Sequence, residues 1–106
     1  MSATIAERPE SAQSYTIEKP RILVVEDSTT MRKAIRRLLS NDFEVLEADD
    51  GDTGWEIVRD DPRVQVVFTD LVMPRMNGFM LLRQIRESIH ERINGLPVII
   101  ITGRPL

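Results

Sequence analysis

Short apolar runs alternate with longer amphipathic stretches along this chain. The first run, RILVVED from Arg21, is rich in β-branched residues and apolar up to its two acidic residues, which is typical of a strand covered on both faces. The next stretch, STTMRKAIRRLLS, places apolar residues at helical spacing and basic residues on the other faces. We therefore predict a strand followed by an amphipathic helix, with Ser28 as the helix N-cap.

The same alternation continues as far as Thr102. Trp55 and Phe79 fall within predicted helices and are expected to lie in the core or at its boundary. Strands and helices that alternate at this pace indicate an α/β fold with a parallel sheet and right-handed crossovers. The further predicted strands are FEVLEA (43–48), VQVVFTD (64–70) and LPVIIIT (96–102), and the further predicted helices are DTGWEIVRD (52–60) and GFMLLRQIRESI (78–89).

The composition is that of one ordinary globular domain, with 106 residues of which 42% are apolar and 29% charged. Residues 1–20 are polar, rich in Ser, Glu and Ala, and show no periodicity. We interpret them as a flexible leader that precedes a folded domain at 21–106.

Several classes of function are disfavoured by composition. No apolar run approaches the roughly 20 residues that span a bilayer, and the N-terminus lacks the features of a secretory signal, so a cytoplasmic protein without membrane association is predicted. The chain has no cysteine and one histidine, so any metal would be held by oxygen atoms. A net charge of −3 with interspersed signs argues against direct binding of nucleic acid.

Candidate chemistry lies where the predicted strands end, because ligands of parallel sheets bind beyond the carboxyl ends of the strands. One strand ends in Glu26 and Asp27, another in Asp70, and a third in Thr102. Carboxylates brought together at one edge repel one another, by about 4 kcal/mol for a pair about 4 Å apart near a protein surface, so they must protonate, spread apart or bind a cation. A hard divalent ion such as Mg²⁺ suits a site made only of oxygen ligands.

A carboxylate can also act as a nucleophile and form an acyl phosphate. Together with a cation that offsets charge, this pattern points to phosphoryl transfer. A simpler explanation for any single Asp after a strand is that it caps the next helix or starts a turn, and Asp27 competes with Ser28 for that role. Glu26 lacks this explanation, because a purely structural carboxylate within the strand register is costly to bury.

In their order and spacing these motifs resemble the receiver domain of two-component response regulators, and in particular its chemotaxis-type members. The acidic pair lies in ILVVEDSTTMRKAIRRLL, the loop DLVMPRMNG follows the phosphoryl-accepting position, and VIIIT ends in a hydroxyl residue. The resemblance implies a flavodoxin-like three-layer sandwich with strand order 2-1-3-4. It also implies a signalling domain, rather than an enzyme with separate substrates, that is phosphorylated and then switches conformation to control an output or a partner.

The resemblance further implies the residues of the site. Asp70 would accept the phosphoryl group, and the hydroxyl of Thr102 would turn toward it. Mg²⁺ would be bound by Glu26, Asp27, Asp70 and the backbone carbonyl of Val72. The donor would be a phosphohistidine of a sensor histidine kinase or phosphotransfer protein, or a small acyl phosphate.

The sequence departs from the family pattern after Thr102. The family carries a fifth strand that ends in a lysine, followed by a last helix, and neither is found in GRPL, so we expect a C-terminally truncated receiver domain. Without a fifth strand the segment 97–102 would be an apolar edge, and we expect self-association through it.

Two other functions share parts of this pattern. A haloacid-dehalogenase-like phosphatase also uses a strand-end aspartate and Mg²⁺, but it needs a second aspartate two residues later, where this chain has Val72. A receiver-like protein-interaction module that is not phosphorylated stays open as an alternative, because the lysine is missing.

Overall fold

The computed structural model describes residues 18–73 and 75–101. Most of the predicted leader, together with Pro74 and Thr102, therefore lies outside the described residues. Along the chain the elements are β1 (Arg21–Val25), α1 (Thr29–Leu39), β2 (Glu44–Ala48), α2 (Gly51–Asp60), β3 (Val64–Asp70), α3 (Gly78–Arg86), α4 (Glu91–Asn94) and β4 (Val98–Ile101).

The strands form one parallel sheet in the order β2-β1-β3-β4. This confirms the predicted α/β fold and strand order. Because all four strands run the same way, their carboxyl ends lie along one edge of the sheet. The residues that follow β1 and end β3 are neighbours at this edge, since β1 and β3 pair directly.

Helices cover the sheet on both faces, and successive residues of β1 point to opposite sides. Leu23 and Val25 belong to the larger apolar cluster, which α2 and α3 cover with residues such as Val58, Leu81 and Ile85. On the opposite face Ile22 and Val24 form a smaller cluster, against which α1 packs Ile35 and Leu39. Helix α1 contributes no fully buried residue, whereas α2 and α3 each contribute three.

Side-chain caps fix where the three longer helices begin. Ser28 accepts a hydrogen bond from the amide of Met31, as predicted for the start of α1. Asp50 and Asn77 accept the equivalent bonds at α2 and α3. Each cap satisfies an amide that the helix itself leaves unpaired, and each contributes about 1 kcal/mol.

The prediction that Phe79 lies in the core or at its boundary is wrong. Its side chain is 61% exposed, because the buried stripe of α3 consists of Gly78, Leu81 and Ile85, and Phe79 lies beside that stripe. Trp55, in contrast, packs against the larger apolar cluster, as predicted.

The region between α3 and β4 also differs from the predicted pattern. Helix α3 ends at Arg86, three residues before the predicted end at 89. The short helix α4 follows and buries Ile93. A helix of one turn is too short to show an amphipathic period, so the sequence pattern could not reveal it.

The residues just before β1 contact the domain. The carbonyl of Pro20 accepts a hydrogen bond from the amide of Glu44 at 2.9 Å, and Lys19 donates to the carbonyl of Ser40 at 3.1 Å. Among the described residues, no helix combines the length and apolar character needed to cross a membrane.

Candidate functional site

Three acidic side chains meet at the carboxyl edge of the sheet. Glu26 and Asp27 follow β1, and Asp70 is the last residue of β3. Each offers a carboxylate oxygen, and these oxygens all lie within 4.8 Å of one another. The direct pairing of β1 with β3 produces this convergence, because two strand ends that are adjacent in the sheet deliver their next residues to the same place.

Glu26 is the most deeply placed of the three, with 7% of its surface exposed. Burial, followed by the proximity of Asp70 and Asp27, raises the pKa of Glu26 to about 7, while a hydrogen bond from the amide of Ser28 acts in the opposite direction. The protein thus holds a carboxyl group that is costly to ionise without a compensating positive charge.

Asp70 is oriented by the backbone that follows it. Its Oδ1 accepts hydrogen bonds from the amides of Leu71 at 2.6 Å and Val72 at 3.4 Å. Val72 is exposed in the same loop, two residues beyond the carboxylate. Asp70 is half-buried and Asp27 is exposed, so the cluster opens toward solvent.

The loop after Asp70 is closed tightly at its far end. The amide of Gly78 donates to the carbonyl of Leu71 at 3.1 Å. A Cβ on Gly78 would lie within 3.0 Å of the carbonyl oxygen of Asp70. Gly78 is therefore required at this helix entry by a close approach of two backbone segments.

The same loop is attached to the start of α2. Arg75 forms an ion pair with Asp50, the buried N-cap of that helix. Met76 packs so closely on Gly51 that a Cβ there would overlap its backbone oxygen. The loop next to Asp70 is thus fixed by contacts with α2 as well as by its own chain.

Arg32 contacts the backbone beside the acidic cluster and pairs with Glu47, and neither residue is predicted from the sequence pattern. Arg32 donates to the backbone carbonyl of Glu26 at 2.8 Å and to the carboxylate of Glu47 at 2.9 Å. The only sequence signal was a basic residue on the first turns of a helix that follows the acidic pair, and that pattern is common on solvated helix faces.

The residues present fit a hard divalent cation. All the available ligands are oxygen atoms, which Mg²⁺ prefers, and one of them belongs to a buried carboxyl group that ionises reluctantly. Within the part of the chain that the structure describes, no Lys or Arg forms an ion pair with Glu26, Asp27 or Asp70. A cation would supply the positive charge that the cluster lacks.

Thr102 lies outside the described residues, so its position relative to Asp70 stays a prediction.

Comparison with known proteins identifies relatives that agree with one another in kind. A sequence model of the response regulator receiver domain matches residues 22–105. A chemotaxis protein CheY homolog of Campylobacter jejuni is 36% identical over 84 residues, which are 77% of this chain and 63% of that protein. The chemotaxis protein CheY1 of Helicobacter pylori is 40% identical over 84 residues, which are 77% of this chain and 66% of that protein. The chain thus spans a little under two thirds of the length of these curated relatives.

Solved structures agree with the sequence relatives. The crystal structure of a response regulator receiver protein from Pseudomonas putida matches with a TM-score of 0.74 and 30% sequence identity. The match covers 85% of this chain and 73% of the other. The parallel sheet with strand order 2-1-3-4 and the surrounding helices are therefore shared with known structures of this kind.

Proposed function

This chain belongs to the family of two-component response regulator receiver domains, and on that premise we propose that Asp70 is its phosphoryl acceptor. The observation that carries the proposal is the convergence of Glu26, Asp27 and Asp70, with ligand atoms within 4.8 Å of one another. These residues come from two strand ends, and they stand at the positions where the family carries its acidic pair and its acceptor.

The proposed reaction is transfer of a phosphoryl group to the carboxylate of Asp70. A carboxylate oxygen of Asp70 attacks phosphorus and forms the new P–O bond, while the bond from phosphorus to the donor atom breaks and its electron pair leaves with the donor. The donor is a phosphohistidine nitrogen or the oxygen of a small acyl phosphate. The bonds from the amides of Leu71 and Val72 to Oδ1 hold the nucleophile in a defined orientation.

Receiver domains of this family generally bind Mg²⁺, and the residues here fit that ion. Glu26, Asp27, Asp70 and the backbone carbonyl of Val72 would hold it. When bound, Mg²⁺ offsets the negative charge that gathers on the transferring group. The hydroxyl of Thr102 would then contact the phosphoryl group and couple its arrival to the conformational switch.

Receiver domains of this family act with histidine kinases or phosphotransfer proteins. We propose that such a protein in the cytoplasm is the donor for Asp70, and that the switched domain controls an output domain or a separate partner. The basic face of α1, with Lys33, Arg36 and Arg37, is exposed and adjoins the acidic cluster through Arg32. It would suit a partner with acidic groups near its phosphohistidine.

The test of the acceptor is chemical. The full chain is incubated with acetyl phosphate and Mg²⁺, and its intact mass is measured for wild type, Asp70→Asn and the control Asp42→Asn. Asp42 is an exposed aspartate in the turn after α1. We expect an increase equal to one phosphoryl group in wild type and Asp42→Asn, and none in Asp70→Asn.

The alternative is a receiver-like module that binds partners without being phosphorylated. A folded wild-type protein that gains no mass from acetyl phosphate or from phosphohistidine donors, at any Mg²⁺ concentration, would contradict the acceptor role and favour this module. An adduct that persists in Asp70→Asn would instead move the acceptor to another residue.

We also propose that copies of this chain associate through the segment 97–102. Within the described residues, β4 pairs with β3 alone, and its residues Val98–Ile101 are all β-branched. Ile99 is 46% exposed on this strand. Light scattering should give a mass above that of one chain, and Ile99→Lys should reduce it, because a charge on an edge strand opposes pairing. A single-chain mass for the wild type at all concentrations would contradict this association.

A further inference from the structure

We propose that Arg32 is a positioning residue for the metal-binding end of the site, acting by holding the backbone of Glu26. The inference rests on the proposed function, since it concerns how the chain prepares Glu26 to bind a cation. The role is assigned to Arg32 by its contacts with the residue that follows β1 and with a residue of β2.

Arg32 links α1 to the ends of both neighbouring strands. Its Nη1 donates to the backbone carbonyl of Glu26 at 2.8 Å, and its Nε donates to Oε1 of Glu47 at 2.9 Å. The two side chains of this ion pair are only 14% and 17% exposed. A guanidinium group presents its donors in a rigid plane, so two bonds in different directions fix its orientation.

Both backbone groups of Glu26, its amide and its carbonyl, form hydrogen bonds. Its amide donates to the carbonyl of Ala48 at 3.0 Å, which continues the pairing of β1 with β2. Its carbonyl accepts from Arg32. Glu26, the most buried of the proposed metal ligands, therefore has its amide bonded to β2 and its carbonyl bonded to α1.

Glu47 in turn holds Arg32 in place. Hydrogen bonds from Arg36 and Arg32 keep the pKa of Glu47 below its ordinary value, against the effect of burial. The ionised carboxylate of Glu47 on β2 thus anchors the guanidinium, and the guanidinium anchors Glu26. Residues that orient metal ligands in this way commonly affect metal affinity by about tenfold or more.

Arg36 provides a matched control. It also forms an ion pair with Glu47 and lies one helical turn after Arg32. Its side chain is more exposed, and its hydrogen bond goes to Glu47 rather than to the backbone of Glu26. Arg36→Ala therefore removes a positive charge and a bond to Glu47, while it leaves the bond between Arg32 and Glu26 in place.

The test is the Mg²⁺ affinity of the full chain, measured by calorimetry without a phosphoryl donor. We expect Arg32→Ala to weaken binding about tenfold, and Arg36→Ala to stay within about twofold of wild type. Arg32→Lys should lie between wild type and Arg32→Ala, because an ammonium group can donate to Glu26 but lacks the fixed fork. With acetyl phosphate, Arg32→Ala should need more Mg²⁺ for half its maximal rate and approach the wild-type rate when Mg²⁺ is saturating.

Two results would overturn the inference while leaving the proposed function intact. One is a folded Arg32→Ala protein with wild-type Mg²⁺ affinity, and the other is an equal loss of affinity in Arg36→Ala. If Arg32→Ala does not fold, Arg32→Lys decides, and wild-type affinity in that variant overturns the inference. A wild-type protein that binds no Mg²⁺ would contradict the proposed metal site itself, and the positioning role with it.

Discussion

Gly78 packs directly against the carbonyl oxygen of Asp70, and the gap between them is too small for any side chain at position 78. The carbonyl carbon of Asp70 and the Cα of Leu71 each lie 3.1 Å from the position that a Cβ on Gly78 would occupy. The start of α3 and the end of β3 therefore meet backbone to backbone, right next to the proposed acceptor carboxylate.

Replacing Gly78 by alanine should consequently disturb both stability and phosphorylation. We expect Gly78→Ala to lower the free energy of unfolding by about 1–3 kcal/mol, which is typical of overpacking at a tight contact. Urea unfolding measures this loss, and the acetyl phosphate reaction should slow because the backbone of Asp70 must move. Gly95→Ala is the control, since the nearest atom to its Cβ is 3.9 Å away and its φ of −98° suits alanine. Equal stability of the two variants would contradict the close approach.

Glu26 gives the metal-free protein a specific response to pH. Its pKa is raised from 4.5 in the unfolded chain to about 7 in the folded protein, so the folded state holds its proton more tightly. The resulting stabilisation is fully present below pH 4.5 and is lost as pH rises through about 7. Glu47, Asp50 and Asp61 have lowered pKa values and act in the opposite direction, with stability lost at low pH.

The contribution of Glu26 is isolated by comparison with Glu26→Gln, which cannot ionise. Urea unfolding in EDTA should show the advantage of wild type over this variant shrinking as pH rises from 4.5 through about 7. Above that range Glu26→Gln should be the more stable of the two proteins, because it avoids a buried charge. A constant difference across the whole range would show that Glu26 ionises normally.

Mg²⁺ should stabilise the folded protein, because its proposed ligands are assembled only after folding. A free Mg²⁺ concentration about one hundred times the dissociation constant would add about 2.7 kcal/mol to the free energy of unfolding. Asp27→Asn should lose most of this gain, since it removes a carboxylate ligand. Glu56→Gln, an exposed position on α2, should keep it. The same Mg²⁺-dependent shift in wild type and Asp27→Asn would exclude Asp27 as a ligand.

Arg92 on α4 stabilises the end of α2. Its guanidinium donates to the carbonyls of Val58 at 3.1 Å, Arg59 at 3.0 Å and Asp61 at 3.4 Å, which lie at the C-terminal end of that helix. Arg92→Ala should cost about 1 kcal/mol, since partly exposed hydrogen bonds contribute modestly. Thermal or urea unfolding measures the loss, with Arg37→Ala on the exposed face of α1 as control. No difference between these variants would mean that the three bonds add nothing to stability.

The strands and the acidic cluster could be predicted because they depend on local patterns. Apolar runs mark the strands, and parallel alignment brings the residues at their ends together, so the meeting of Glu26 and Asp70 follows from topology alone. The cap at Ser28 follows from short-range hydrogen bonding. These features can be predicted without knowing which distant groups each long side chain contacts.

Other features depend on the three-dimensional conformation of long side chains and on the exact residue at which a helix begins. Arg32 could have faced solvent, as Lys33 does, but in the folded protein its side chain bonds to Glu47 on β2 and to the carbonyl of Glu26. The orientation of Phe79 depends on where α3 begins, and a shift of one residue rotates its side chain by about 100° around the helix. Sequence periodicity does not resolve differences of that size.

Arg75 gives the loop beside Asp70 a sensitivity to ionic strength. Its φ of 63° places a residue other than glycine in the left-handed region, at a cost of about 1–2 kcal/mol. The ion pair with Asp50 offsets part of that cost, and the arginine end of the pair is largely exposed. Dissolved salt screens such a pair. The loop that presents Val72 and follows the proposed acceptor should therefore become less ordered as salt concentration rises, even though the sheet beneath it does not change.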